Sequence, residues 1–262
     1  MTKLKLLSCE VMRAEIEWLL ADMGLDGAID VDWFEMGLHQ QPEKLNAELK
    51  KRIAACEGQG YDAILLMFGL CSNAVNGLEP PADSRLVIPR VHDCISIYLG
   101  SAGRYLAEHA AEPGTYWFSR GFLHRTDGVG IGEDGLGSDF GGMDDDGQRV
   151  SAAEMRRRYT EEYGEENADY LMDTLFESWK TNYRRAVYLE WADNPDAEED
   201  RRRVAEYAAE NNWEFAVMDA DLRLLRDLLK RAWGSGEFVV VEPGQKLAAT
   251  NAQDALAAVV SA

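Results

Sequence analysis

Apolar positions in the first part of the chain switch between short continuous runs and runs spaced by three or four residues. Leu4 to Ser8 is a short apolar run ending in Cys9, the pattern of a buried strand. From Glu10 to Met23, Val11, Ile16, Leu19 and Leu20 fall at helical spacing, and Gly24 supplies the stop. Ile29 to Met36 mixes β-branched and aromatic residues and predicts a second strand. Pro42 to Cys56 opens on a proline suited to a first turn and places Leu45, Leu49 and Ile53 four apart, predicting a helix. Tyr61 to Phe68 is the strongest buried-strand pattern and ends in Gly69-Leu70-Cys71. Leu86-Val87-Ile88 predicts another strand, ending in Pro89-Arg90-Val91-His92-Asp93-Cys94, with a helix over 95–110 after it. Such alternation implies right-handed strand–helix–strand crossovers and a parallel sheet.

The stretch from Thr126 to Gln148 is rich in Gly and Asp and is read as an acidic loop. Two polar helices are expected at 151–163 and 165–180. A second alternation follows: strand Arg185–Glu190, helix Ala197–Glu210, strand Trp213–Met218, helix Asp221–Trp233 and strand Phe238–Val241. The Ala-rich tail from Leu247 is expected to be helical. The fold class is α/β, with parallel sheets flanked by helices in two Rossmann-like halves. The expected boundaries are 1–125 for the first half, 126–150 for the acidic loop, and 151–262 for a helical insertion plus the second half. A single large sheet with an inserted helical pair is the competing arrangement. No repeat of fixed period is visible.

Charge narrows the partners. The 262 residues carry a formal net charge of −20, which disfavours nucleic acid and anionic membrane surfaces, both of which need a basic face. No apolar run reaches the roughly 18 residues of a membrane-spanning helix. The first apolar stretch is too short for a secretory signal, so a cytoplasmic location is expected. In a reducing cytosol the four cysteines, Cys9, Cys56, Cys71 and Cys94, are not expected to form structural disulfides. None are spaced as a CxxC pair.

Ligands of open α/β sheets bind beyond the carboxyl ends of the strands. Three of the expected strands end in a cysteine-bearing turn, at Cys9, Cys71 and Cys94, and His39 and His92 lie at similar positions. Thiolates with one imidazole suit zinc or another transition metal, and an open position would make such a site catalytic. The alternatives are ordinary buried cysteines, which are common, and a redox pair. Cys56, late in a helix, reads as a small buried hydrophobe. Cys94 at a helix N-terminus is expected to have a depressed pKa, and Asp93 to cap that helix. Gly69, in a turn bearing Asn73, permits close backbone approach to a ligand, with a plain tight turn as the favoured alternative. Arg90 could hold an anionic substrate or a structural salt bridge. Glu15, near the apolar stripe of the first helix, either faces the pocket or lies on a solvated rim. Aromatic residues in Pro113–Phe118 read as core. Asp144-Asp145-Asp146-Gly147 looks like part of a calcium loop but lacks the ligand alternation and closing Glu.

At these residues the chain resembles the DUF1638 family of anaerobic bacteria and methanogenic archaea. The matching segments are Leu7-Ser8-Cys9 with Glu15-Ile16, Gly37-Leu38-His39 with Pro42-Glu43-Lys44-Leu45, and Tyr61-Asp62 through Cys71. The sharpest are Val87 through Cys94 and Pro113-Gly114-Thr115-Tyr116-Trp117. The resemblance carries no settled activity. It implies an association with corrinoid-dependent methyltransferase components, and zinc-bound thiolates are competent methyl acceptors. The chain lacks the Asp-x-His-x-x-Gly pattern by which corrinoid proteins supply a lower ligand.

The resulting expectation is a metal enzyme of one-carbon metabolism. Cys9, Cys71, Cys94 and His92 would hold zinc or another transition metal, His39 and Glu15 would act in catalysis, and Arg90 and Asn73 would bind a small-molecule substrate. A corrinoid protein or methyltransferase is the expected partner. A non-catalytic accessory, metal-delivery or metabolite-binding protein is the alternative.

Overall fold

The computed structural model describes residues 3–124, 131–132, 135–136, 142–143, 149–150, 152–172, 174, 178–250 and 255–261. The chain forms two compact units, one of Met1–Glu108 with Asp219–Ala262 and one of His109–Met218. The split differs from the expected 1–125 and 151–262, because the last strands return to the first sheet. The calcium-loop-like stretch 144–147 lies outside the described residues.

The first unit is built on β1 (Lys3–Cys9), β2 (Ile29–Phe34), β3 (Tyr61–Met67) and β4 (Arg85–Pro89). These four are parallel, in the spatial order β4-β3-β1-β2. Leu6 and Leu7 of β1 and Ile64 through Met67 of β3 are fully buried. That explains why these strands read as unbroken apolar runs: both faces of a parallel sheet are covered. Helix α1 (Arg13–Asp22) buries Ile16, Leu19 and Leu20, and α2 (Pro42–Ala54) buries Leu45, Leu49 and Ile53.

Two helices of this part of the chain depart from expectation. The helix expected from Glu10 begins as a 3-10 turn over Glu10–Met12 before α1. The helix expected over 95–110 is broken into α3 (Cys94–Tyr98) and α4 (Ala102–Ala111). Gly100 sits at the break with φ of 76°, and a Cβ there would collide with the Asp221 carboxyl group. The Tyr98 carbonyl accepts from Asp221 N at 2.8 Å, and the Gly100 carbonyl from Arg223 at 2.7 Å.

The second unit contains β5 (Thr115–Phe118), the four-residue helix α5 (Arg120–Leu123) and two short hairpins, β6 (Ile131–Gly132) with β7 (Gly135–Leu136) and β8 (Gly142–Met143) with β9 (Arg149–Val150). Helices α6 (Ala152–Tyr163) and α7 (Glu165–Met172) follow, then β10 (Arg185–Glu190), α8 (Ala197–Glu210) and β11 (Glu214–Asp219). The expected second helix, 165–180, therefore ends earlier. Strands β5 and β10 pair in parallel, with β11 on the other side of β10. Phe118, Tyr188, Tyr207 and Trp213 are buried in its core, with Tyr116, Phe122 and Tyr183 packed against them. Of the Pro113–Phe118 aromatics expected in the core, Phe118 is buried there and Tyr116 packs against it, while Trp117 is half-buried.

Helix α9 (Arg223–Leu229) and strand β12 (Phe238–Val241) return to the first unit, where β12 adds an antiparallel edge beside β4. The tail is not helical. It forms a hairpin of β13 (Gln245–Ala249) and β14 (Leu256–Val260). Leu247 and Leu256 are fully buried in the core, and Leu247 exchanges backbone hydrogen bonds with Gly77 and Leu78 at 2.8 and 2.9 Å. Two buried leucines and a backbone ladder outweigh the helix propensity of alanine. A five-stranded and a three-stranded sheet, with three two-stranded hairpins, take the place of a single large sheet among the described residues. Among the described residues, no helix is long and apolar enough to cross a membrane.

Candidate functional site

The order β4-β3-β1-β2 places a topological switch point between β1 and β3, since the chain leaves β1 toward one side and returns on the other. Ligands of open α/β sheets sit outside the carboxyl ends at such a point. Cys9 is the last residue of β1. Gly69-Leu70-Cys71 follows β3, and Arg90 through Cys94 follows β4. Leu70 N donates to Val91 O and Cys71 N to His92 O, both at 3.0 Å, so the two post-strand segments run side by side. A Cβ on Gly69 would lie 2.5 Å from Asp93 N and 2.7 Å from the His92 carbonyl carbon. The close approach that requires this glycine is to neighbouring backbone.

Cys71, Ser72 and Asn73 all have left-handed backbone, with φ of 46°, 57° and 69°. Asn tolerates that region. Cys and Ser each lose roughly 1–2 kcal/mol there. The turn persists because its surroundings fix it. Ala74 N donates to Cys71 O at 3.1 Å, Asn46 donates to Ala74 O at 2.7 Å, and Ala74, Val75 and Leu78 are buried. Strain of this kind, maintained by its setting, concentrates at functional sites.

The strand-end thiols are coupled electrostatically. Burial, with smaller contributions from Cys9 and Asp93, pushes Cys71 up to about 12. Burial also holds Cys94 well above the usual thiol value, followed by Asp93, Cys71 and Cys9. The expected depression of Cys94 is corrected: its helix has five residues, and burial beside a carboxylate outweighs so short a helix end. Asp93 does cap α3, accepting from Ser96 N at 2.9 Å. All three residues are half-buried.

Arg90 also lies at this edge, one residue past β4. Its Nε is buried without a hydrogen-bond partner. Among the described arginine side chains it alone makes no hydrogen bond, ion pair or ring contact, although the protein has 47 acidic residues. A structural salt bridge, the other reading of Arg90, is therefore not what the structure shows.

The remaining predicted residues are placed as follows. His92 is half-buried and its carbonyl is taken by Cys71; neither it nor His39 is among the groups that shift the thiols most. His39 is exposed on the 3-10 turn Leu38–Gln40, after Gly37 with φ of 89°. Glu15 is fully buried in the first turn of α1, so the solvated rim is excluded. Asn73 is exposed. Cys56 is buried in the core and donates to Arg52 O at 3.3 Å, a helical hydrogen bond. Among the described residues, no three His, Cys, Asp or Glu side chains stand in a ready metal-holding arrangement.

One cluster escaped the sequence reading. In the second unit, fully buried Asp200 of α8 accepts from His124, Arg120, Tyr188 and Asn194. No spacing pattern joins a histidine and an aspartate 76 residues apart.

These features define an α/β protein with a thiol-bearing sheet edge and a guanidinium that has no partner among the described residues. The model of the DUF1638 family, described as protein of unknown function, matches residues 33–229. The chain belongs to this family. No curated protein matches. Among solved structures, a ligand-free, open substrate-binding protein with adhesive properties from Clostridium difficile is 11% identical over 84% of this chain, with a TM-score of 0.23. The chain spans 57% of that protein's length.

Proposed function

We propose that the β1/β3/β4 edge is a thiolate site for a soft metal ion, zinc foremost, used on a small anionic substrate in cytoplasmic one-carbon chemistry. The observation that supports this reading is that Cys9, Cys71 and Cys94 follow strands of one carboxyl edge, with Cys9 raising the pKa of Cys71 and both raising that of Cys94. Buried thiols that repel one another's charge are stabilised as thiolates by a divalent cation, which deprotonates coordinating sulfur outright. A cysteine side chain turns about one bond, and metal binding would require that rotation to bring the three sulfurs together. Cys9, Cys71 and Cys94 would hold the ion, with His92 as a fourth ligand. The ion would supply a nucleophilic thiolate or an activated bound thiol.

Arg90 would orient the substrate, since a guanidinium matches a carboxylate or phosphate in geometry and charge. Asn73 lies on the same turn as Cys71. Glu15 and His39 are kept as acid–base candidates, Glu15 for its burial in the first turn of α1. Methyl transfer with a corrinoid protein or methyltransferase as partner rests on the family's associations and on thiolate chemistry. A second reading, a non-catalytic accessory or metabolite-binding protein, rests on Arg90 alone.

The test is elemental analysis of protein purified anaerobically without a tag. Near-stoichiometric zinc or another transition metal that is lost in a Cys9→Ala/Cys71→Ala/Cys94→Ala variant supports the metal site. Protein that contains no metal and takes up none on reconstitution overturns it. Binding of a small anion that Arg90→Ala abolishes would then favour the second reading.

A further inference from the structure

The second unit has a carboxyl edge of its own. Strands β5 and β10 are parallel neighbours, with Phe118 opposite Tyr188, so the segments that leave them emerge side by side. After β5, Ser119 caps α5, which carries Arg120 and is followed at once by His124. After β10 come Asn194, Asp196 and the first turn of α8, with Asp200. His124 Nε2 lies 2.6 Å from one Asp200 oxygen. The other oxygen accepts from Arg120 at 3.0 Å, Tyr188 at 2.8 Å and Asn194 at 3.1 Å. Arg120 also pairs with Asp196.

The protonation pattern follows from this geometry. With an ionised Asp200 accepting from every partner, His124 Nε2 carries the hydrogen and donates it. The 3.4 Å approach of Arg120 to Nε2 is then that of two donors sharing one carboxylate. In the neutral ring Nδ1 holds the lone pair, because the bond at one ring nitrogen fixes the role of the other. No hydrogen bond reaches Nδ1 among the described residues. The His124 side chain is 35% exposed while Asp200 is wholly buried, so the base is partly open and its orienting acid is shielded.

We propose that His124, held by Asp200, is a proton-accepting site of the second unit, and that it takes a small ligand offering a hydroxyl or thiol. The N–H bond would form at Nδ1 as the ligand's O–H or S–H bond breaks, with the electron pair left on oxygen or sulfur. The imidazolium keeps its Nε2 hydrogen on Asp200, and Asp200 stays ionised. Arg120 and Arg203, which donates to the Leu123 carbonyl at 3.3 Å, balance Asp196 and Asp200, so the surroundings add no net charge that would demand an ionic ligand. The site is independent of the thiol reading and would survive its failure.

Diethyl pyrocarbonate, which needs an unprotonated ring nitrogen with an available lone pair, is the probe, with rates mapped by mass spectrometry at each of the four histidines. His124 should react at least as fast as the exposed His39 and His109. In Asp200→Asn the rate at His124 should fall by about tenfold or more, a lower bound on the wrong-tautomer loss seen in such dyads. Nitrogen-15 NMR of the unaltered protein gives a reading free of any folding defect in the variant: Nε2 should be the protonated nitrogen in the neutral ring. Protection of His124 from the reagent, or a hydrogen on Nδ1, overturns the proposal.

Discussion

At the scale of single residues, the β3–β4 edge is governed by close packing between backbones. Gly69 faces the backbone of His92 and Asp93, so an added methyl group has no flexible side chain to push aside. Gly69→Ala is expected to destabilise the protein by about 1–3 kcal/mol, the usual range for overpacking. A urea midpoint unchanged from the parent would show that the two segments can part freely. In the turn that follows, Cys71 and Ser72 are held in left-handed backbone by the hydrogen bonds and burial around Ala74. Gly69 was recognisable in the sequence as a glycine needing an explanation. Its neighbour was not, because nothing in the local sequence says which strand lies alongside. The thiols show the same limit: their spacing identified them, while their raised pKa values follow from burial and from one another.

At the scale of elements, the buried acid of α8 links two strand ends, and this gives a pH dependence. Burial pushes Asp200 up, but hydrogen bonds from His124, Asn194, Tyr188 and Arg120 outweigh it and leave the carboxyl at about 2, below its usual 3.8. A carboxyl depressed in the folded state stabilises the fold above its unfolded pKa and loses that contribution as pH falls through the folded value. The contribution should be complete at neutral pH, begin to fall near about pH 4 and be gone a little below about pH 2. A shift of this size corresponds to roughly 2–3 kcal/mol. Urea melts from neutral pH downward should show the loss in the parent and a flatter profile in Asp200→Asn. Equal slopes in the two proteins would show that other carboxyl groups control the acid limb. Elements were also where the sequence reading failed most clearly. Alanine-rich composition predicted a terminal helix, yet the buried Leu247 and Leu256 and hydrogen bonds to a distant turn drew the segment into a hairpin.

At the scale of the molecule, a net charge of −20 sets the response to salt. The exposed ion pairs, such as Arg202–Glu206 and Arg156–Asp169, contribute up to about 1 kcal/mol each and weaken with screening. Uncompensated carboxylates repel one another across the surface, which destabilises a compact state. Since acidic residues outnumber basic ones by 47 to 27, relief of repulsion should dominate. The melting temperature should rise between about 10 and about 150 mM sodium chloride. A fall over that range would show that the specific pairs carry more stability than the excess charge removes.

Local pattern by itself determined the α/β class, most strand and helix positions in both units, the core role of Cys56 and the cap at Asp93. Each depends on periodicity or on neighbours a few residues away. It also placed Cys9, Cys71 and Cys94 at strand ends, because a strand and the turn after it are adjacent in sequence. Tertiary structure alone decided that β12 returns to the first sheet and the tail to the first unit, that β1 and β3 flank the switch point, and that Arg90 has no partner among the described residues. It alone joined His124 to Asp200 across 76 residues. The physical reason is common to all of these: pairing between distant segments depends on which surfaces meet once the sheets form, and the spacing of residues along a chain does not specify that.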